Sequence, residues 1–277
     1  MELKTTRWDI GDDGVAVLTL SRPTRHNAWT GRMHTELRHL LHTAEDDPAI
    51  RVVVITGDPE GRAFCPGADS RALEGHADRG GYDAGTPDDL ATPGFGVRPE
   101  FDADFAFFLG LETVTIAAVN GAAAGAGLVL ACWCDLRFAA AGAKLTTAHG
   151  KLNLPVEYGL SWLLPRIIGH GRSADLLLSS RVITAEEGDR LGLVNAVHPA
   201  DAVLDAAVDY ARTLVRDVSP HALRASKRQL AVDTVRNHPA ESVRDAQARL
   251  DMMMTEADYR AAVGAVADRR APAWGGG

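Results

Sequence analysis

One local form recurs along this chain: an apolar run rich in β-branched residues that ends in a turn. The runs are VAVLTLSRP (15 to 23), RVVVITGDPEG (51 to 61) and VTIAAVNGAAAG (114 to 125), with LRFAA (136 to 140) as a weaker fourth. Each reads as a strand. Between the first two, TGRMHTELRHLLHTAEDDP places Met33, Leu37, Leu40, Leu41 and Ala44 at helical spacing after Thr30, which can cap the helix. Strand, helix and strand in alternation predict an α/β core.

The 277 residues are enough for one large core and for one or two domains. After about residue 200 the pattern becomes wholly helical, which marks 201–277 as a helical C-terminal region, with Gly275 to Gly277 expected to fray. Residues 74–100 are rich in Gly, Pro and Asp and lack periodicity, so they read as a long functional lid or an insertion. A net charge of -8 argues against nucleic acid or an acidic membrane as partner. No apolar run reaches the length of a membrane span. The opening MELKTTRWDIGDDG has acids where a secretory leader has its apolar core, so a cytoplasmic location is expected. Cys65, Cys132 and Cys134 form no CxxC pair, and they read as reduced, buried thiols with no metal site.

Two glycine-rich turns follow strands. NGAAAGAGLVLAC (120 to 132) and GRAFCPGADSRAL (61 to 73) each let the backbone turn sharply and bring amides to a helix start. A single such turn is more often a close-packing device. Two of them can do more, because amides from separate helix starts can converge on one oxygen and hold the charge that develops on an enolising thioester carbonyl. Asp69, in the second turn, reads as a helix cap.

LSRPTRHNAW, VVVITGDPEGRAFCPGAD, IAAVNGAAAGAGLVLACWCDLRFAA and RVITAEEGDRLGLVNAV, in this order, resemble the enoyl-CoA hydratase/isomerase, or crotonase, superfamily over about residues 8 to 200. The resemblance implies an α/β fold of crotonase type, with a spiral of ββα units over 1–200 holding an acyl-CoA site and 201–277 serving trimerisation. It implies a homotrimer or hexamer, an acyl-CoA thioester as partner, and no cofactor beyond the coenzyme A carried by the substrate. The oxyanion-hole amides map to Ala68 and to Ala126, where most relatives have glycine. Arg25, Phe64 and Lys227 map to CoA-binding positions, although the two basic residues read equally as surface charges.

Relatives that hydrate carry two glutamates, and their places are taken here by Val129 and His149. Glu157, in LPVEYGLSW, falls where isomerases carry their single acid. Its apolar neighbours in sequence would raise its pKa toward the working pH and exclude water. The expected chemistry is therefore double-bond isomerisation with Glu157 as base. Glu157 could instead cap or pair at the surface, and His149 could be structural or could hold a water with Glu157. Hydration of 2-enoyl-CoA, hydrolysis or carbon–carbon cleavage, and CoA or RNA binding without catalysis stay open as alternatives. Trp29, Trp133 and Trp162 read as core or pocket wall, and Asp135 as a buried structural acid.

Overall fold

A computed structural model describes residues 1–69, 74, 101 and 103–274. Apart from Glu74, the predicted loop at 74–100 lies outside the described residues, as do the terminal glycines.

The three strong runs form β2 (Val15–Leu20), β3 (Val52–Gly57) and β5 (Val114–Val119), and LRFAA forms β7 (Leu136–Ala140). With β1 (Thr6–Ile10) and β10 (Ala196–His198) they build a six-stranded sheet in the order β1-β2-β3-β5-β7-β10. Only the β1–β2 pair is antiparallel. A parallel sheet is covered on both faces, which is why β3 and β5 are buried at every position.

A second sheet holds the short strands β4 (Ala63–Cys65), β6 (Ala122–Ala124), β8 (Lys144–Thr146) and β9 (Ile183–Thr184). β3 and β4, β5 and β6, and β7 and β8 follow one another in the chain, so each successive pair puts one strand in each sheet. A helix follows the second of these pairs: α2 (Ala126–Trp133).

The helix α1 (Gly31–Asp46) starts as predicted, with Thr30 Oγ1 accepting from the Met33 amide at 3.2 Å and Met33, Leu37, Leu40, Leu41 and Ala44 buried. Glu36, on the same helix, is fully buried. It accepts from the amides of Lys4 and Thr5 and from the hydroxyls of Thr5 and Thr6 at 2.8 to 2.9 Å, and it pairs with Arg32. Burial opposes its ionisation, but Arg32 and these donors hold its carboxyl below the usual glutamate value. That carboxylate fastens the start of β1 to α1.

Further helices follow: α3 (Leu160–Ile168), α4 (His170–Ser179), α5 (Ala185–Leu191), α6 (Val203–Asp217), α7 (Pro220–Val235), α8 (Pro239–Met253) and α9 (Ala257–Ala267). Among the described residues, no helix is long and apolar enough to cross a membrane. Asp135, expected to be buried, is exposed just before β7. Its carboxylate accepts from the Thr115 amide and hydroxyl at 2.7 and 2.9 Å.

Candidate active site

The two glycine-rich turns meet in space. β4 and β6 run parallel with Cys65 opposite Ala123, and a Cβ added to Gly125 would lie 3.8 Å from the Gly67 Cα. Gly67 and Gly125 both have positive φ, +103° and +49°, which any L side chain would strain. Gly127 serves the other purpose, close packing. The carbonyl oxygen of Cys65 stands 2.0 Å from where its Cβ would be, so α2 rests directly on the backbone of β4.

Ala68 is held by Trp29. The Trp29 amide donates to Gly67 O at 2.8 Å, and its carbonyl accepts from the Asp69 amide at 3.0 Å, forming an isolated parallel bridge. Amides alternate in direction along extended backbone, so the Ala68 N–H is turned away from Trp29. Among the described residues no acceptor takes it. Ala126 is the first residue of α2, where an amide has no intrahelical acceptor and the helix dipole favours negative charge. Ala126 is absent from the residues with positive φ, so an alanine there costs the backbone nothing.

The loop before α1 braces this arrangement. Arg22 pairs with the Asp69 carboxylate at 2.9 Å and donates to Ala28 O at 2.6 Å. Asn27 is fully buried and donates to Asp58 O and Ala63 O at 3.0 and 2.8 Å. Neither role was read from the sequence, because Asp69 lies 47 residues from Arg22 and Asp58 lies 31 from Asn27. The local signal was the HNA stretch itself, with Asn27 in the left-handed region at φ +61°. The helix start that Asp69 was expected to cap lies outside the described residues. Arg25 is half-buried on the 3-10 turn Pro23–Arg25 of the same loop.

Phe64 and Lys227, which the resemblance maps to CoA-binding positions, are both buried in this chain. Phe64 is fully buried in β4, so its side chain packs the core and is not presented to a ligand at the surface. Lys227, on α7, is 6% exposed; its ammonium donates to Thr113 O at 2.6 Å and pairs with Asp135 at 2.8 Å, tying α7 to the start of β5.

Glu157 stands at the first corner of a tight turn into α3. The Leu160 amide closes the turn on Glu157 O at 3.1 Å, with Tyr158 at φ +52° and Gly159 at φ +71° between them. Its apolar neighbours in sequence are unevenly buried. Leu154 is exposed, whereas Val156 and Tyr158 pack against the core and Leu160 is buried, so Glu157 itself is half-buried. Beside this turn opens a cavity of about 610 Å³ walled by Phe101, Leu109, Trp133, Tyr158 and Trp162, with Asp104 on its lining. The His34 imidazole beside Asp104 keeps that carboxyl below the usual range. Trp133 and Trp162 stack with ring planes 12° apart, as pocket-wall residues can.

His149 is buried at the start of the 3-10 turn His149–Leu152, its amide on Thr147 O at 2.7 Å. Neither His149 nor Glu157 is itself on the cavity lining, but Tyr158 and Gly159 of the Glu157 turn are. Val129 is buried on α2, where the only side chains are apolar or Cys, so the helix that starts at Ala126 brings no carboxylate. Burial pushes the thiols of Cys65 and Cys134 up to about 12 and that of Cys132 to about 11, which leaves them protonated and unreactive at neutral pH.

Residues 11–277 match the family described as Enoyl-CoA hydratase/isomerase. The chain belongs to that family. It is 32% identical to the 1,2-epoxyphenylacetyl-CoA isomerase of Escherichia coli over 96% of both chains. It is 34% identical to a probable enoyl-CoA hydratase of Mycobacterium tuberculosis, over 93% of this chain and 88% of that one. Among solved structures, the enoyl-CoA hydratase of Bacillus anthracis superposes with a TM-score of 0.83 at 25% identity, over 99% of this chain and 100% of that one. The two-sheet architecture is the crotonase fold of this family, and both isomerases and hydratases stand among the relatives.

Proposed function

We propose that the protein isomerises an enoyl-CoA, moving a 3,4 double bond to the 2,3 position with Glu157 as its single base. The observation that carries this reading is the absence of the hydratase acid from α2, which offers Val129 in its place, while the turn that begins at Glu157 contributes Tyr158 and Gly159 to the cavity lining and the one acid among the described residues on that lining, Asp104, is paired with His34. The Glu157 carboxylate takes a proton from Cα, the electron pair moves into the thioester to give a dienolate, and the same carboxyl returns the proton at Cγ. Atoms balance, and no water is consumed. The amides of Ala68 and Ala126 hold the dienolate oxygen, and each such donor typically lowers a barrier by about 2.7 to 4 kcal/mol.

Family membership implies an acyl-CoA substrate, so coenzyme A enters with the substrate and no separate cofactor is needed. In this reading the acyl tail enters the cavity walled by Trp133 and Trp162, and Arg25 meets the CoA phosphates. The Escherichia coli relative is named for a phenyl-bearing acyl-CoA, which makes a phenyl-bearing substrate one arm of the test.

The test is incubation with 3-enoyl-CoA and 2-enoyl-CoA thioesters of several chain lengths, with and without a terminal phenyl group, following product mass. Conversion of the 3-enoyl to the 2-enoyl isomer without change of mass, abolished by Glu157→Gln, is expected. Gain of one water from 2-enoyl-CoA that survives Glu157→Gln would establish hydration instead.

A further inference from the structure

We infer that Trp133 is a positioning residue that holds Glu157 in register with the oxyanion hole through the carbonyl of Tyr158, an inference that rests on Glu157 being the base. The turn Glu157–Leu160 has positive φ at both central residues and the closing bond of a type I′ turn. Such turns favour Asn, Asp or Gly at the first central position, because a larger side chain clashes with its own backbone there. Here that position is Tyr158, a bulky residue held where it pays a conformational penalty. A strained residue persists only when its surroundings over-determine it.

Two contacts do so. The Trp133 indole N–H donates to Tyr158 O at 3.0 Å, and the same indole lies against Gly159, where an added Cβ would be 3.2 Å from Trp133 Cζ2. On the other side the Tyr158 ring meets Phe105 edge-on at 5.0 Å. Phe105 in turn packs at 5.3 Å on Trp29, the residue whose backbone holds Ala68. Trp133 is the last residue of α2, and Ala126 is the first. Both oxyanion-hole amides are thus tied to the Glu157 turn, Ala126 along α2 through Trp133, and Ala68 through Trp29, Phe105 and Tyr158. An indole is the one apolar ring here that both packs on Gly159 and supplies a donor to Tyr158 O.

Trp133→Phe keeps an aromatic ring and deletes the donor. Wild type, Trp133→Phe and Glu157→Gln would be compared by the turnover of trans-3-hexenoyl-CoA and by exchange of the Cα protons of hexanoyl-CoA in D2O, which needs only the base and the hole. The expected result for Trp133→Phe is a fall in kcat of about 10- to 100-fold with KM within about twofold, and a displaced acid limb of the kcat–pH profile. Unchanged kcat, or a change confined to KM, would overturn the inference, since Trp133 would then only wall the cavity. Should Trp133→Phe fail to fold by circular dichroism, Gly159→Ala serves the same purpose by pushing the turn off the indole, and an unaltered kcat there is equally contrary. Activity retained in Glu157→Gln, or a wild type inactive in both assays, removes the base itself. Glu157→Gln inactive beside a fully active Trp133→Phe removes only the positioning role.

Discussion

The carbonyl oxygen of Cys65 occupies the space that a side chain on Gly127 would need, 2.0 Å from the position of its Cβ. A backbone atom cannot swing aside as the end of a side chain can, so Gly127→Ala must move α2 off β4. Overpacking of this kind costs about 1 to 3 kcal/mol, and a shift of about 1 Å in a catalytic group costs roughly 100-fold in rate. Gly127→Ala should therefore lower both the urea midpoint and kcat. Ala126→Gly keeps the amide and should leave kcat within about threefold of wild type.

Arg22 is expected to matter as much as a residue that touches substrate, because it holds both Asp69 and Ala28 around Ala68. Arg22→Ala should lower kcat by more than about tenfold and destabilise by about 3 kcal/mol, as removal of one partner of a buried ion pair does. Arg22→Lys should recover little, since one ammonium cannot reproduce the two-point guanidinium contact. Steady-state kinetics with thermal melts on the three proteins checks this.

Glu36 gives stability a defined pH dependence. Its folded-state carboxyl is held below its unfolded value, so its contribution is fully present above that unfolded value, about 4.3, and is lost as pH falls through the folded value. Urea melts of Glu36→Gln should show a loss of about 1 to 3 kcal/mol at pH 7 and a smaller difference from wild type below pH of about 4.

Assembly is expected to cover the C-terminal helices. No residue of α8 is buried, and Val243, Leu250, Val263 and Val266 on α8 and α9 are all at least half exposed. We propose that this apolar surface is an interface between copies of the chain. Light scattering should give the mass of a trimer or hexamer, and Val243→Asp with Leu250→Asp should yield a smaller species.

The long buried strands and α1 were legible in the sequence because hydrophobic runs and a Thr cap are local signals. The short strands β4, β6 and β8 span three residues each, too few for any period to show. Ala68 and Ala126 could be paired only because long motifs resembled a family; nothing local says that Gly67 meets Gly125. That Glu157 is only half-buried was missed because a run of apolar residues need not be a buried segment, as the exposed Leu154 shows. A tyrosine in a type I′ turn was likewise unreadable, since local propensity speaks against it and the indole that holds it is 25 residues away.

Glu157 is proposed to move a proton within the substrate, with no water added. Turnover of trans-3-hexenoyl-CoA in heavy-oxygen water, read by mass spectrometry, tests it most directly. The expected product is the 2-enoyl isomer without heavy oxygen in its acyl chain, formed by wild type and reduced at least about 1000-fold in Glu157→Gln. A product carrying heavy oxygen at C3, or undiminished isomer from Glu157→Gln, would contradict it.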